Sequence, residues 1–262
     1  AIEDGVARWD QVIDAASNAS IEIDVESMDQ PNDGTLASAK FNYSTNTNVT
    51  QDGETIWAGG VRKIITEGSD PTPSEVAAEI TVNTGRFDEF DFDGRFDGNE
   101  HYNASDLMMH EFGHALGFAT FGKNNTNADT LYESMVEEYN GEFWFTGSNA
   151  VTANGGQDVE LAKDQGSGFN NKVAHVSEDA HDKAMMSPLI EYEERVQLTS
   201  VERGIVKDMG YNLHNTPSPS SGLSSGMSAD LVDSQTGTAN ADQETPPLIG
   251  AATSGDNLDA IV

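Results

Sequence analysis

Hydrophobic positions recur at helical spacing at the start of the chain. Ile2, Val6, Trp9 and Ile13 share one face, and Glu3 and Asp4 occupy the first turn, where negative charge suits the helix dipole. The pattern predicts an amphipathic helix over residues 2–16. The period then changes to two. Ile21, Ile23 and Val25 alternate with Glu22, Asp24 and Glu26, as in a half-buried strand. Residues 35–43 and 55–66 are further strand candidates, and Ala78 to Val82 leads into another. Pro71 and Pro73 mark the loop between the last two. The first hundred residues therefore read as a helix and a sheet.

Asn103-Ala104-Ser105-Asp106 offers N-cap chemistry before a second helix. On it, Met108, Phe112 and Ala115 form a face suited to packing on the sheet. Leu107, His110, Glu111 and His114 form another, expected to look into a cleft. Residues 119–174 are rich in Asn and Gly, with one helical candidate near 129–139. Thr199-Ser200-Val201-Glu202 is a capping box opening a helix to about Met209, and Gly210 is placed to stop it.

Composition changes after Leu213. Residues 214–262 contain no aromatic residue, no Lys and no Arg, and Pro217 to Ser228 reads as a linker. Three regions follow: an upper subdomain over 1–118, a lower one over 119–213, and a Pro/Ser/Gly-rich linker with an acidic tail over 214–262. The chain has 262 residues, enough for one sizeable core or two small lobes. No apolar run is long enough to span a bilayer. Ala1-Ile2-Glu3-Asp4 reads as a processed start.

Net charge is −32, from 13 basic and 45 acidic residues. Such a surface repels phosphate backbones, which argues against nucleic acid as a partner, and it suits salty water or calcium. The absence of cysteine removes disulfides, thiolate zinc sites and Cys nucleophiles together. A secreted, extracellular protein without disulfides fits a bacterium better than an animal.

The chemistry concentrates at His110-Glu111-Phe112-Gly113-His114-Ala115-Leu116-Gly117-Phe118. Two histidines four apart lie on one helix face, one turn above the other. Both imidazoles can reach one metal ion, at roughly 2.0–2.1 Å for zinc. Glu111 adjoins the first ligand and is placed to hold a water molecule beside the cation. Gly117 can turn left-handed and end the helix. A bare HExxH arises by chance on the order of once in a hundred such chains, so context matters.

A catalytic zinc takes three protein ligands and keeps a fourth position open. The compact HExxHxxGxxH pattern fails, because Thr120 stands where its third histidine would be. Glu133, which follows His114 after eighteen intervening residues, has the spacing used by gluzincin peptidases. His175 lies eleven residues before Met186, within Ala174-His175-Val176 to Met185-Met186-Ser187-Pro188. Gly117 weighs toward His175, because a gluzincin motif helix need not stop there. His181 is a weaker substitute. His101 and His214 read as surface histidines.

The HALGF run, the long insertion, the later histidine, Met-Ser-Pro and a final helix ending Asp208-Met209-Gly210-Tyr211 resemble leishmanolysin-type metzincins and their bacterial relatives. The resemblance covers about residues 1–213. It implies an α+β zinc-protease fold, with a twisted, mostly parallel sheet, an active-site helix above a cleft and an irregular helical lower lobe. It also implies His175 as third zinc ligand, Met186 beneath the metal, and Glu111 as general base of an endopeptidase acting on proteins or peptides. An extended substrate is expected to pair with a strand edge, taken as the segment between Ala58 and Ile65. Pro188 stands where astacin-type enzymes carry a tyrosine after the Met-turn, and Tyr192 is only nearby. Rival readings are a non-catalytic zinc-binding adhesion module on the same scaffold, a gluzincin-type peptidase using Glu133, or another zinc hydrolase such as an amidase.

Residues 89–100 nearly fit a calcium loop of the EF-hand kind. Glu89, Asp91, Asp93, Asp97 and Glu100 fall at positions 1, 3, 5, 9 and 12, with Gly94 at position 6. The alternative is a solvated acidic turn.

Overall fold

The structure is a computed structural model. It describes residues 1–41, 49–51, 54–93, 101–120, 128–162, 169–181, 183–192, 195–214 and 228–233. Helix α1 (Ile2–Asp10) is shorter than the periodicity suggested. It ends where Ile13 leaves to form an antiparallel bridge with Leu213, which buries Ile13 without further helical turns. The alternating segments form β1 (Ser20–Met28) and β2 (Ala37–Phe41), followed by β3 (Val49–Gln51) and β4 (Glu54–Trp57).

The segment 55–66 is not one strand. Only Glu54–Trp57 is extended; α2 (Gly60–Glu67) follows. Val61, Ile64 and Ile65 are buried at helical spacing, and Gly68 ends the helix at φ 65°. The β-branched composition suggested a strand, but burial on one helical stripe prevails. The proposed substrate edge between Ala58 and Ile65 is therefore helical from Gly60 onward and is not a strand.

Next come β5 (Ala78–Asn83), a 3-10 turn (Thr84–Glu89), β6 (Phe90–Asp91), β7 (Tyr102–Asn103) and α3 (Ala104–Leu116). The main sheet has strand order β12-β1-β5-β2, with β12 (Ser228–Asp233) parallel to β1, β1 parallel to β5, and β2 antiparallel to β5. Registers Val25↔Ile80 and Ala39↔Ile80 put every second residue on one face. Ile21, Ile23, Ala37, Ala39, Ala78 and Ile80 are buried. Helix α3 packs against this sheet and α1, and Gly5 permits the close approach, since a Cβ there would lie 2.9 Å from Met108 Cβ.

The helix expected near 129–139 is instead β8 (Ala128–Thr130), a 3-10 turn (Glu133–Met135) and β9 (Val136–Tyr139). β9 pairs with β10 (Glu142–Phe145) across Asn140-Gly141, both at positive φ. Asn-Gly between two β-prone segments is a two-residue hairpin signal that overrides the helical spacing. The remaining elements are α4 (Ser148–Ala153), β11 (Val159–Glu160), α5 (Phe169–Ala174) and α6 (Ser200–Asp208). Small sheets β11-β10-β9 and β3-β4-β8 complete a mixed α/β arrangement. Among the described residues no helix is long and apolar enough to cross a membrane.

Candidate metal centre

Helix α3 starts as its sequence requires. Asn103 Oδ1 accepts from Asp106 N at 2.9 Å, the N-cap bond. Asp106, fully buried in the first turn, pairs with Arg8 of α1 and accepts from Val196 N at 3.2 Å. Arg8 also donates to Val196 O at 2.7 Å, so one ion pair joins α1, α3 and the segment before α6.

At its other end Gly117 stands at φ 119°, a value a side chain rarely tolerates. The turn returns Phe118 O to within 2.6 Å of His114 Nδ1. Met185 O lies 2.7 Å from His110 Nδ1. With a proton on each Nδ1 to satisfy these carbonyls, both Nε2 atoms carry lone pairs. Those Nε2 atoms sit 3.0 Å apart, and His175 Nε2 is 3.3 Å from that of His110.

His175 follows α5 and is held on both sides by backbone bonds. Ala162 N donates to His175 O at 3.0 Å, and Val176 N donates to Met186 O at 2.8 Å. The three ligand atoms lie within 4.8 Å of one another, and among the described residues this is the one such group. The three histidines and Glu111 are buried rather than lining an open trough. Burial, with His175 nearby, pushes His110 down to about 3. Burial and both neighbouring imidazoles hold His114 well below the usual range. Three neutral imidazoles with converging lone pairs repel one another unless a cation lies between them, so the donor set fits a metal ion.

Both carboxylate oxygens of Glu111 are buried without a hydrogen-bond partner, and burial raises its pKa well above 4.5. An unpartnered buried carboxylate on the residue that follows a candidate ligand is the natural place for a proton acceptor. Met186, fully buried, lays its sulfur against Gly113, between the two histidines of α3.

The other candidates fall elsewhere. Glu133 lies on a 3-10 turn and binds Thr120 Oγ1 and Thr130 N, outside the histidine group. Thr120 thus holds the rival carboxylate. His181, His101 and His214 are partly buried and also outside it. Tyr192 lies against Tyr102, with ring centroids 4.3 Å apart and the planes tilted by 35°. Of the acidic loop, Glu89 is clamped by Arg86 at 2.5 and 2.8 Å, which lowers its pKa, and Asp91 Oδ1 accepts from Asp93 N. Asp97 and Glu100 lie outside the described residues, as does Gly94. A cavity of about 490 Å³ lies between β1, β5 and the first turns of α3, lined by Val25, Val82, Phe87, Phe90, Leu107 and Met108. It includes no histidine, so this cavity and the candidate chemistry are separate places.

One residue was missed by sequence reasoning. Glu202 read as the capping-box partner of Thr199, yet its other oxygen accepts from Met186 N at 2.6 Å. Nothing in local spacing signals that long-range bond.

No protein-family model matches this chain, and no curated protein matches it.

Proposed function

We propose that the chain is a secreted zinc-dependent endopeptidase of metzincin type, similar to the leishmanolysin group. The observation that supports it is the convergence of His110, His114 and His175 Nε2, together with a buried, unpartnered carboxylate on Glu111, the residue after His110. A zinc ion held by these imidazoles supplies Lewis acidity toward the scissile carbonyl and lowers the pKa of water beside it. Glu111 takes the proton of the attacking water and delivers it to the departing amine. Met185 O and Phe118 O fix the tautomers of His110 and His114, keeping Nε2 unprotonated for the cation.

Among the described residues β2 borders the main sheet and lies against α3, so it replaces the 58–65 segment as the strand along which an extended substrate aligns. The gluzincin alternative loses ground because Glu133 is engaged by Thr120 and Thr130.

Casein digestion by the zinc-loaded protein tests this reading. Glu111→Gln is expected to cut activity by about 10²–10⁴-fold with zinc retained. His175→Ala is expected to lose zinc, whereas Glu133→Ala keeps it. A wild-type protein that binds zinc but cleaves no polypeptide overturns the peptidase.

A further inference from the structure

The dipeptide Met185-Met186 touches the surroundings of all three candidate ligands. Met185 O accepts from His110 Nδ1 at 2.7 Å. Met186 Sδ rests on Gly113, one residue before His114. Met186 O accepts from Val176 N at 2.8 Å, one residue after His175. The position of this dipeptide therefore governs how the three imidazoles face one another.

What holds the dipeptide in turn is a carboxylate from another element. Glu202, in the first turn of α6, is fully buried. Its Oε2 accepts from Thr199 N at 2.7 Å and from Thr199 Oγ1 at 2.8 Å, closing the helix cap. Its Oε1 accepts from Met186 N at 2.6 Å. A capping box alone needs one of those oxygens and no burial, and most such glutamates sit at the surface. Burying a carboxylate for a cap alone is a poor exchange, since desolvation outweighs the roughly one hydrogen bond gained. The divided use of the two oxygens ties the rigid start of α6 to the floor of the histidine cluster. Ala184 O accepting from Ser187 N at 3.2 Å closes the turn around Met185-Met186, leaving Met186 N pointed outward at Glu202.

We infer that Glu202 is a positioning residue of the metal centre, acting through Met186 N to fix Met185 O against His110 and Met186 Sδ against Gly113. The inference rests on the reading that His110, His114 and His175 hold a divalent cation. It adds a carboxylate about ninety residues from the HExxH motif, on an element that supplies none of the three candidate ligands. Second-sphere partners of this kind typically change metal affinity by roughly 10–100-fold.

Cobalt(II) titration of the metal-stripped full chain tests it, read by visible d–d absorption at temperatures where far-UV circular dichroism is native. Glu202→Gln puts an amide donor against either Met186 N or Thr199 N. It is expected to weaken cobalt(II) binding by about 10-fold or more and to alter the absorption envelope. Should that variant not fold, Glu202→Asp serves: it keeps the charge but cannot span both partners, so the same weakening is expected. Thr199→Ala removes the cap hydroxyl alone and is expected to lower the melting temperature with cobalt(II) affinity and spectrum unchanged. Wild-type affinity and spectrum in a folded Glu202 variant overturn the inference. So does an equal loss of affinity in Thr199→Ala, which would mean a role in stability alone, and so does a wild-type chain that takes up no cobalt(II). None of these readouts is turnover, so failure of Glu111-dependent proteolysis sinks the peptidase and not this inference.

Discussion

Met186 Sδ occupies the space that any Cβ on residue 113 would need, so Gly113 and Met186 are complementary across the floor of the histidine cluster. Gly113 is the third residue past His110 and the one before His114, and Met186 is reached only after the long excursion of the lower segment. The HExxH motif thus has a steric requirement at its fourth position that its pattern of ligands does not state.

Gly113→Ala measures that contact. In an open helix interior the change stabilises by roughly 0.5–1 kcal/mol. Here the added methyl meets a fully buried sulfur, and overpacking of this kind costs about 1–3 kcal/mol. Urea unfolding is expected to show net destabilisation. In a Met186→Ala background, which vacates the space, the same substitution is expected to be neutral or stabilising. Additive effects of the two changes would rule the complementarity out.

Glu111→Gln is expected to stabilise the metal-stripped protein at neutral pH. Burial raises the folded carboxyl above 4.5, so the folded state holds its proton more tightly than the unfolded chain. The favourable contribution is present below 4.5 and is lost as pH rises through the folded value. Gln does not titrate. The gain in melting temperature is therefore expected to grow from pH 4.5 upward and to vanish below it. A gain independent of pH, or a loss at pH 8, would mean the carboxylate has a partner.

Much of this arrangement was readable from short-range signals. The alternation at 21–25, the Asn103 cap, the Gly117 stop and the Thr199 capping box all appear as expected, because each depends on a few neighbouring residues. Spacing also marked His110 and His114 as a pair. Residues 58–65 read as extended because Val61, Ile64 and Ile65 are β-branched, yet their helical spacing decides the structure. Near 133 the helical spacing hid the Asn140-Gly141 hairpin, which local turn chemistry could have revealed. The Oε1 bond of Glu202 to Met186 and the ion pair of Asp106 with Arg8 join distant segments, and periodicity carries no information about them.

Gly117 permits a backbone conformation and also delivers a hydrogen bond to a ligand. At φ 119°, Gly117→Ala forces a strained backbone costing about 1–3 kcal/mol or shifts the turn. A shifted turn withdraws Phe118 O from His114 Nδ1. Reduced zinc affinity is expected together with reduced stability. Affinity unchanged in a folded variant would make the Phe118 bond incidental.

Asp106 and its partner Arg8 are unequally exposed. The Asp106 carboxylate is fully buried, whereas the Arg8 side chain is 27% exposed. Removing Arg8 leaves a buried charge with weak compensation, since Arg195 Nη1 stands 3.7 Å away on a side chain 45% exposed. Breaking a buried pair from one side costs about 3–5 kcal/mol, while replacing both partners by apolar groups is often neutral. Arg8→Met is thus expected to destabilise strongly, and Asp106→Leu added to it to recover part of the loss despite breaking the bond from Val196 N. Should Arg8→Met cost under about 1 kcal/mol, as exposed pairs do, Arg195 has taken over and α1 is not fastened to α3 through this charge.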